Sequence, residues 1–273
     1  MIPIKLIDVN FNSGKGWQPG VSLSIPPKLV RWDRFQAEKF EGPVVLTDYR
    51  LWSPCVSRCK IAWLVESPDI APELYARMRR DYSSFRRVIT FHRDLLGKVP
   101  NAVEGLMGGS HVRTQDVAIH PKTKLVSMIA SSKHTTAGRK FRCQIATSLA
   151  SGVDLFGRGR PRTLEHKAEG LNPYAFSVAV ENCRTPDYFS EKLIDCFLTG
   201  TVPIYWGLPG IDRWFNRDGI MAFDTEADAR RIVGSLTMDQ YRAMLPAVTD
   251  NFYRAQKFAC PEDELFRRGL FQP

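Results

Sequence analysis

From residue 124 onward, short β-rich apolar runs alternate with amphipathic stretches, and this order constrains the fold more than any other feature of the chain. Runs at 125–130, 153–156, 176–180, 202–206 and 220–223 read as strands. Helical stretches at 139–150, 186–199 and 226–234 lie between or after them. Strand–helix alternation of this kind predicts a parallel sheet covered by helices. The earlier part repeats the pattern more loosely, with strand-like runs at 4–9, 44–47, 61–65 and 88–91 and a helix at 72–82. Around 98–117 the pattern dissolves into Pro, Asn, Gly-Gly and polar residues, as a hinge would. The chain of 273 residues therefore divides into two α/β units, 1–116 and 117–255, and a surface tail, 256–273. A last helix begins at Thr237, whose spacing to Gln240 fits a capping box; Met238, Tyr241, Leu245, Val248 and Phe252 form its apolar stripe.

In sheets of this type ligands bind beyond the carboxyl ends of the strands. Two loops, 131–138 and 181–186, occupy those positions in the second unit, and polar and basic residues gather there. Charge points to the same place. The net charge is +9, and the stretch from Lys122 to Arg162 holds nine Lys and Arg against one acid, Asp154. A field so concentrated attracts an anion, either nucleic acid or a phosphorylated small molecule. Nucleic-acid binding through 122–162 is the non-enzymatic alternative, although no recognition motif accompanies it.

Other features exclude more than they assign. No apolar run approaches the roughly 20 residues of a membrane-spanning helix, and the N-terminus reads as a strand, which predicts a cytoplasmic protein. The end of the tail, 266–271, could touch an anionic membrane surface peripherally, with a plain surface tail as the blander reading. Six cysteines are scattered without zinc spacing and read as free thiols. His92, His111, His120, His134 and His166 show no ligand spacing, although His134 falls in the first of the two loops.

The stretch from Tyr174 to Gly207 is the most informative. Thr185 can cap a helix, Pro186 suits its first position and Gly200 its end. On such a helix Tyr188, Glu191 and Asp195 share a face, and the free N–H groups of the first turn, with Lys192, favour a diphosphate. Taken alone, a capped helix with a solvated Glu-Lys face explains these residues equally well.

The order of motifs adds to this reading. Glu181-Asn182, then Tyr188, then Glu191-Lys192-Leu193, followed by Gly200-x-Val202-Pro203-Ile204 and Gly207, resembles the signature of glycosyltransferase family 10, the α-1,3/α-1,4-fucosyltransferases. The upstream segment from Lys124 through the Arg139 helix to Phe156-Gly157 is similar to the same family, so the likeness runs over roughly 124–224. The resemblance implies a GT-B architecture of two Rossmann-like domains with an interdomain cleft. It implies an inverting transfer of fucose from GDP-fucose to an oligosaccharide or glycoconjugate acceptor, with no nucleic-acid partner. Another nucleotide sugar is the alternative donor. By motif, Arg139 and Lys192 are similar to the residues that contact the donor diphosphate, Glu191 to the acid on the ribose hydroxyls, and Asn182 and Tyr188 to residues lining the donor pocket. Ser131, Ser132 and Lys133 lie in the donor loop, where hydroxyls or amides can hold phosphate oxygens.

Glu66, directly after the run 61–65, resembles the acid proposed as general base; a Glu capping the following Ser-Pro turn is the simpler reading. An arginine fork and a lysine suit a leaving diphosphate, so no tightly bound divalent metal is expected, with Asp187 and Asp195 leaving room only for a loose one. Cys183 stands where Ser or Thr is common, and packing is its expected role. With no anchor-like run and no disulfide pattern in the sequence, the chain is expected to be more like bacterial or viral members than the membrane-anchored, disulfide-rich animal ones. Outside Glu66 the first unit matches little, so acceptor identity does not carry over.

Overall fold

The computed structural model describes residues 1–8, 24–105, 108–160, 162–186 and 188–272. Val9, at the end of the first expected strand, and Asp187 lie outside the described residues. Two wholly parallel sheets organise the chain. The first takes β1 (Ile2–Ile7), β2 (Val30–Asp33), β3 (Val44–Thr47), β4 (Lys60–Trp63), β5 (Arg87–Thr90) and β6 (Ala102–Glu104) in the order β2-β1-β3-β4-β5-β6. Helices α1 (Pro72–Asp81) and α2 (Arg93–Lys98) follow β4 and β5. The second sheet orders β7 (Lys124–Ile129), β8 (Asp154–Phe156), β9 (Tyr174–Val180), β10 (Val202–Trp206) and β11 (Met221–Ala222) as β11-β10-β9-β7-β8. Its helices are α3 (Ala137–Ser148), α4 (Glu191–Leu198), α5 (Glu226–Ser235) and α6 (Met238–Ala259), and α7 (Pro261–Arg267) closes the chain.

The strand order turns back on itself between β1 and β3 in one sheet, and between β7 and β9 in the other. Connections leave a doubly wound sheet in opposite directions at such a point and open a crevice at the strand ends. β9 is buried along its whole length, as a central parallel strand covered on both faces must be.

Helix α4 starts later than the expected 186–199. Its cap is Ser190, whose side chain accepts from the Lys192 N–H, and the described residues among 183–189 stay irregular. Two buried aromatics decide this. Tyr188 joins the first domain's core and packs on Phe91 with ring centroids 5.3 Å apart, whereas Phe189 enters the core around α4 and packs on Phe258 at 5.1 Å. Neighbouring side chains bound for different cores cannot share the face of one helix. Tyr188, Glu191 and Asp195 therefore do not form the common helical face expected of them. Helix α6 has its expected Thr237–Gln240 capping box, but Leu245 in the proposed stripe is exposed.

The C-terminal segment is also different from a surface tail. Helix α6 runs on to Ala259, and α7 crosses to the back of the first sheet. There the Asp263 carboxylate accepts N–H bonds from Lys28 at 2.9 Å and Leu29 at 2.8 Å. Leu265, Leu270 and Phe271 are buried among Ile4, Trp32, Val45 and Trp63, with Phe271 at 5.3 Å from Trp32 and 5.8 Å from Trp63. Leu270 and Phe271, expected at a surface or a membrane, are committed to the protein's own core. No described helix is long and apolar enough to cross a membrane.

Truncating a buried Phe typically costs about 3–5 kcal/mol, against about 0.5 kcal/mol or less for a surface residue. Phe271→Ala is therefore expected to lower stability by about 3 kcal/mol, read as a shift of the urea midpoint followed by Trp fluorescence.

Candidate functional site

The crevice between β7 and β9 is a cavity of about 510 Å³ lined by His111, Ile129, Ser131, Lys133, Arg139, Arg142, Arg158, Lys167, Asn182, Glu191 and Lys192. Helix α3 delivers Arg139 and Arg142 to it, and the start of α3 is tightly seated. The Thr136 hydroxyl caps the helix by accepting from the Arg139 N–H at 3.3 Å, and donates to the Asn182 carbonyl at 3.4 Å. A Cβ on Gly138 would lie 2.2 Å from the Asn182 carbonyl oxygen, so only glycine lets the helix approach β9 this closely.

Helix α4 delivers Glu191 and Lys192. Its first turn is fixed by Glu181, a wholly buried carboxylate that accepts from the Ser190 N–H at 2.9 Å and hydroxyl at 2.6 Å. The Lys192 ammonium reaches Ser190 Oγ at 2.9 Å, Glu191 Oε1 at 3.2 Å and Glu181 Oε2 at 3.4 Å. Burial works against an ionised Glu191, but Lys192, Lys167 and His111 more than offset it and hold the carboxyl well below the usual range.

Of the residues named from sequence, the structure brings Ser131, Lys133, Arg139, Asn182, Glu191 and Lys192 into this one cavity. Ser132 and Tyr188 are not in its wall. The Ser132 hydroxyl lies against Gly159, and Tyr188 is buried in the first domain's core. Cys183 enters that same core, and burial pushes its thiol up to about 12. Asp195, considered for a loose metal role, is fully buried and already occupied: it accepts from the Ser110 hydroxyl at 2.7 Å and the His111 N–H at 3.0 Å, and pairs with Lys167 at 2.6 Å. Among the described residues no group of three His, Cys, Asp or Glu is arranged to hold a metal ion.

Lys167, His111, Arg142 and Arg158 were not singled out from sequence. Lys167 and His111 reach the cavity only through the Asp195 contacts, which link residues far apart in the chain. Arg142 carried a signal, since it lies one helical turn after Arg139 on α3. It is buried, donates to Asn182 Oδ1 at 3.1 Å and is pushed down by desolvation.

Glu66 follows β4 on the first domain and is half-buried. Its main chain is held by Asp48, whose buried Oδ1 accepts from the Val65 N–H at 2.8 Å and the Glu66 N–H at 3.2 Å, while the Tyr75 hydroxyl donates to the Glu66 carbonyl at 2.6 Å. Asp48 adopts a left-handed φ of 39°, a conformation that costs a non-glycine residue about 1–3 kcal/mol and clusters at functional sites. Burial raises the Glu66 pKa, Arg139 and Lys192 oppose the rise, and Glu191 adds to it. The carboxyl of the first domain thus feels three charged residues of the second domain's cavity.

The profile of Glycosyltransferase family 10 (fucosyltransferase) C-term matches residues 119–224, which hold β7 to β11 and every cavity residue except His111. Residues 119–224 are therefore similar to the C-terminal domain of that family. An α-(1,3)-fucosyltransferase of Helicobacter pylori is 40% identical to this chain over 53 residues, 19% of this chain and 11% of that protein. One of Drosophila melanogaster is 43% identical over 44 residues, 16% and 10% of the two lengths. The aligned stretch is thus only about a tenth of either relative. A crystal structure of an α1,3-fucosyltransferase superposes with a TM-score of 0.60 at 15% identity, covering 99% of this chain and 90% of the other, and one with GDP superposes equally well. The likeness extends over both domains, so the architecture is that of the GT-B fold.

The raised Glu66 pKa has a stability consequence. A carboxyl with a higher pKa in the folded protein than in the unfolded chain binds its proton more tightly when folded. Stability therefore falls as pH rises from the ordinary carboxylate value through the raised one. Glu66→Gln removes this penalty and is expected to be more stable than wild type at neutral pH but not in acid, as read from urea midpoints across that range.

Proposed function

We propose that this protein is an inverting fucosyltransferase that moves fucose from GDP-fucose to a hydroxyl group of a glycan. The observation that carries the reading is the single cavity at the β7/β9 switch point, in which Arg139, Glu191 and Lys192 converge and which Glu66 feels from the other domain. The GDP complex of the α1,3-fucosyltransferase that shares the fold supports the choice of nucleotide.

In the proposed reaction the acceptor oxygen attacks C1 of fucose from the face opposite GDP. Glu66 takes the hydroxyl proton as the new C–O bond forms, and its raised pKa strengthens it as a base near neutrality. The bond from C1 to the phosphate oxygen breaks with its electron pair leaving on GDP. Arg139 meets the negative charge that grows there, in a site already lined by fixed charges, where such stabilisation is worth most. The ribose hydroxyls take Glu191 as acceptor, and Asn182, held by Arg142, offers its amide to the donor. When Glu191 turns to the ribose, Lys192 loses one of its three acceptors and gains an N–H for the diphosphate.

Transfer and slow hydrolysis of GDP-fucose test this reading without knowledge of the natural acceptor. Glu66→Gln is expected to lower the rate of transfer by about a hundredfold or more with little change in GDP affinity, in line with the loss of a general base. Arg139→Ala is expected to lower both rate and affinity. Wild-type protein that releases no fucose from GDP-fucose, or Glu66→Gln with unchanged turnover, would contradict the assignment.

A further inference from the structure

Six cations line the cavity, and their partners divide them into two groups. Four are already engaged. Lys192 has three N–H bonds and three acceptors, in Ser190, Glu191 and Glu181. Lys167 is paired with Asp195 at 2.6 Å, Arg142 donates to Asn182 and to the Val180 carbonyl, and Arg139 donates to Thr135 Oγ1 at 2.7 Å. Lys133 and Arg158 are different. Both are exposed, and neither side chain has a hydrogen-bond or ion-pair partner among the described residues.

Their position is not accidental surface. Lys133 follows β7 and Arg158 follows β8, neighbouring parallel strands in which Ile129 is paired with Phe156. The two loops are pinned together, since the Ser132 N–H donates to the Arg158 carbonyl at 3.2 Å. Gly157, at φ +134°, packs so closely that a Cβ would sit 2.4 Å from the Ala130 carbonyl oxygen. A second chamber of about 350 Å³, walled by Gly157, Thr163 and Leu164, shares Ile129, Arg158 and Lys167 with the main cavity. Arg158 therefore stands where the two chambers meet.

An engaged cation offers an incoming anion only the N–H groups that its present partners leave, whereas an unengaged one contributes its full set of charge-assisted hydrogen bonds. We infer that Lys133 and Arg158 are a further pair of ligand-binding residues, which neutralise the phosphoryl oxygens of the nucleoside diphosphate and supply most of its electrostatic affinity. This rests on the nucleotide-sugar reading above. It gives Lys192 a positioning part, in which the ammonium keeps Glu191 and the start of α4 in place.

Calorimetric titration with GDP and with inorganic pyrophosphate tests the pair, using wild type, Lys133→Ala, Arg158→Ala, the double variant and Lys140→Ala. Lys140 is an exposed cation on α3 outside the cavity wall and serves as control. Each single substitution is expected to weaken both ligands roughly tenfold, the range of one hydrogen bond to a charged group, and the double variant more. The dependence of affinity on salt should also flatten, and Lys140→Ala should bind like wild type. A double variant that binds both ligands as wild type does, while Arg139→Ala binds them weakly, overturns the pair. If pyrophosphate affinity depends on the pair but GDP binds no better than pyrophosphate, the pair stands as an anion site and the nucleotide-sugar reading falls.

Discussion

The wholly buried carboxylate of Glu181 is the point on which the site depends. A bare charge in that position would cost several kcal/mol, and it is compensated by the Ser190 N–H and hydroxyl and by the Lys192 ammonium. The compensation sets where α4 begins. With the helix capped at Ser190, Glu191 and Lys192 become its first two residues and face the crevice. Cys183 and Tyr188 then lie outside the helix, which lets them reach the opposite domain. One buried ion pair therefore fixes both the charges of α4 in the cavity and the contact between the domains.

That contact makes the two halves one functional unit. Tyr188 is anchored on Phe91 of the first domain, three residues before Glu191 of the second. On the far side α7 returns to the first sheet and seals it with Phe271. The linker is clamped as well, because Ser110 and His111 both donate to Asp195 of α4. Glu66 and the cavity are thus held from three directions, and Asp48 holds the Glu66 main chain from within the first domain. In the proposed reaction the base sits on one face of a sugar while cations hold the other, and such a group needs this kind of double attachment, since small misplacements are costly in rate.

How much of this was legible in the chain depended on the range of the forces involved. The parallel sheets followed from local patterning, and β7, β9 and β10 fall within a residue or two of the expected runs. β2 and β6 were not seen, because a four-residue edge strand and a three-residue half-exposed one leave little alternation to read. Thr185 and Pro186 are good local helix starters, yet the Glu181–Ser190 cap and two buried aromatics outcompeted them. The basic stretch was a real signal read too uniformly. Lys122 is spent inside the fold, its ammonium taken by the carbonyls of Asn172 and Thr199 and its pKa pushed down to about 7 by burial. Arg162 pairs with Asp154 and Lys124 sits over the Tyr174 ring, whereas Lys133, Arg139, Arg142 and Arg158 reach the cavity. Net charge pointed to this end of the sheet but not to which cations line the cavity.

The most direct test is a crystal structure of the protein with GDP bound. The account predicts the diphosphate lying between the start of α3 and the loop after β8, within hydrogen-bond reach of Arg139 and Arg158. It predicts the ribose at Glu191, and the Glu66 carboxylate on the open side of the terminal phosphate, where the sugar would stand. A nucleotide bound outside the β7/β9 crevice, or one in the crevice with its phosphates turned away from Arg139, would contradict it.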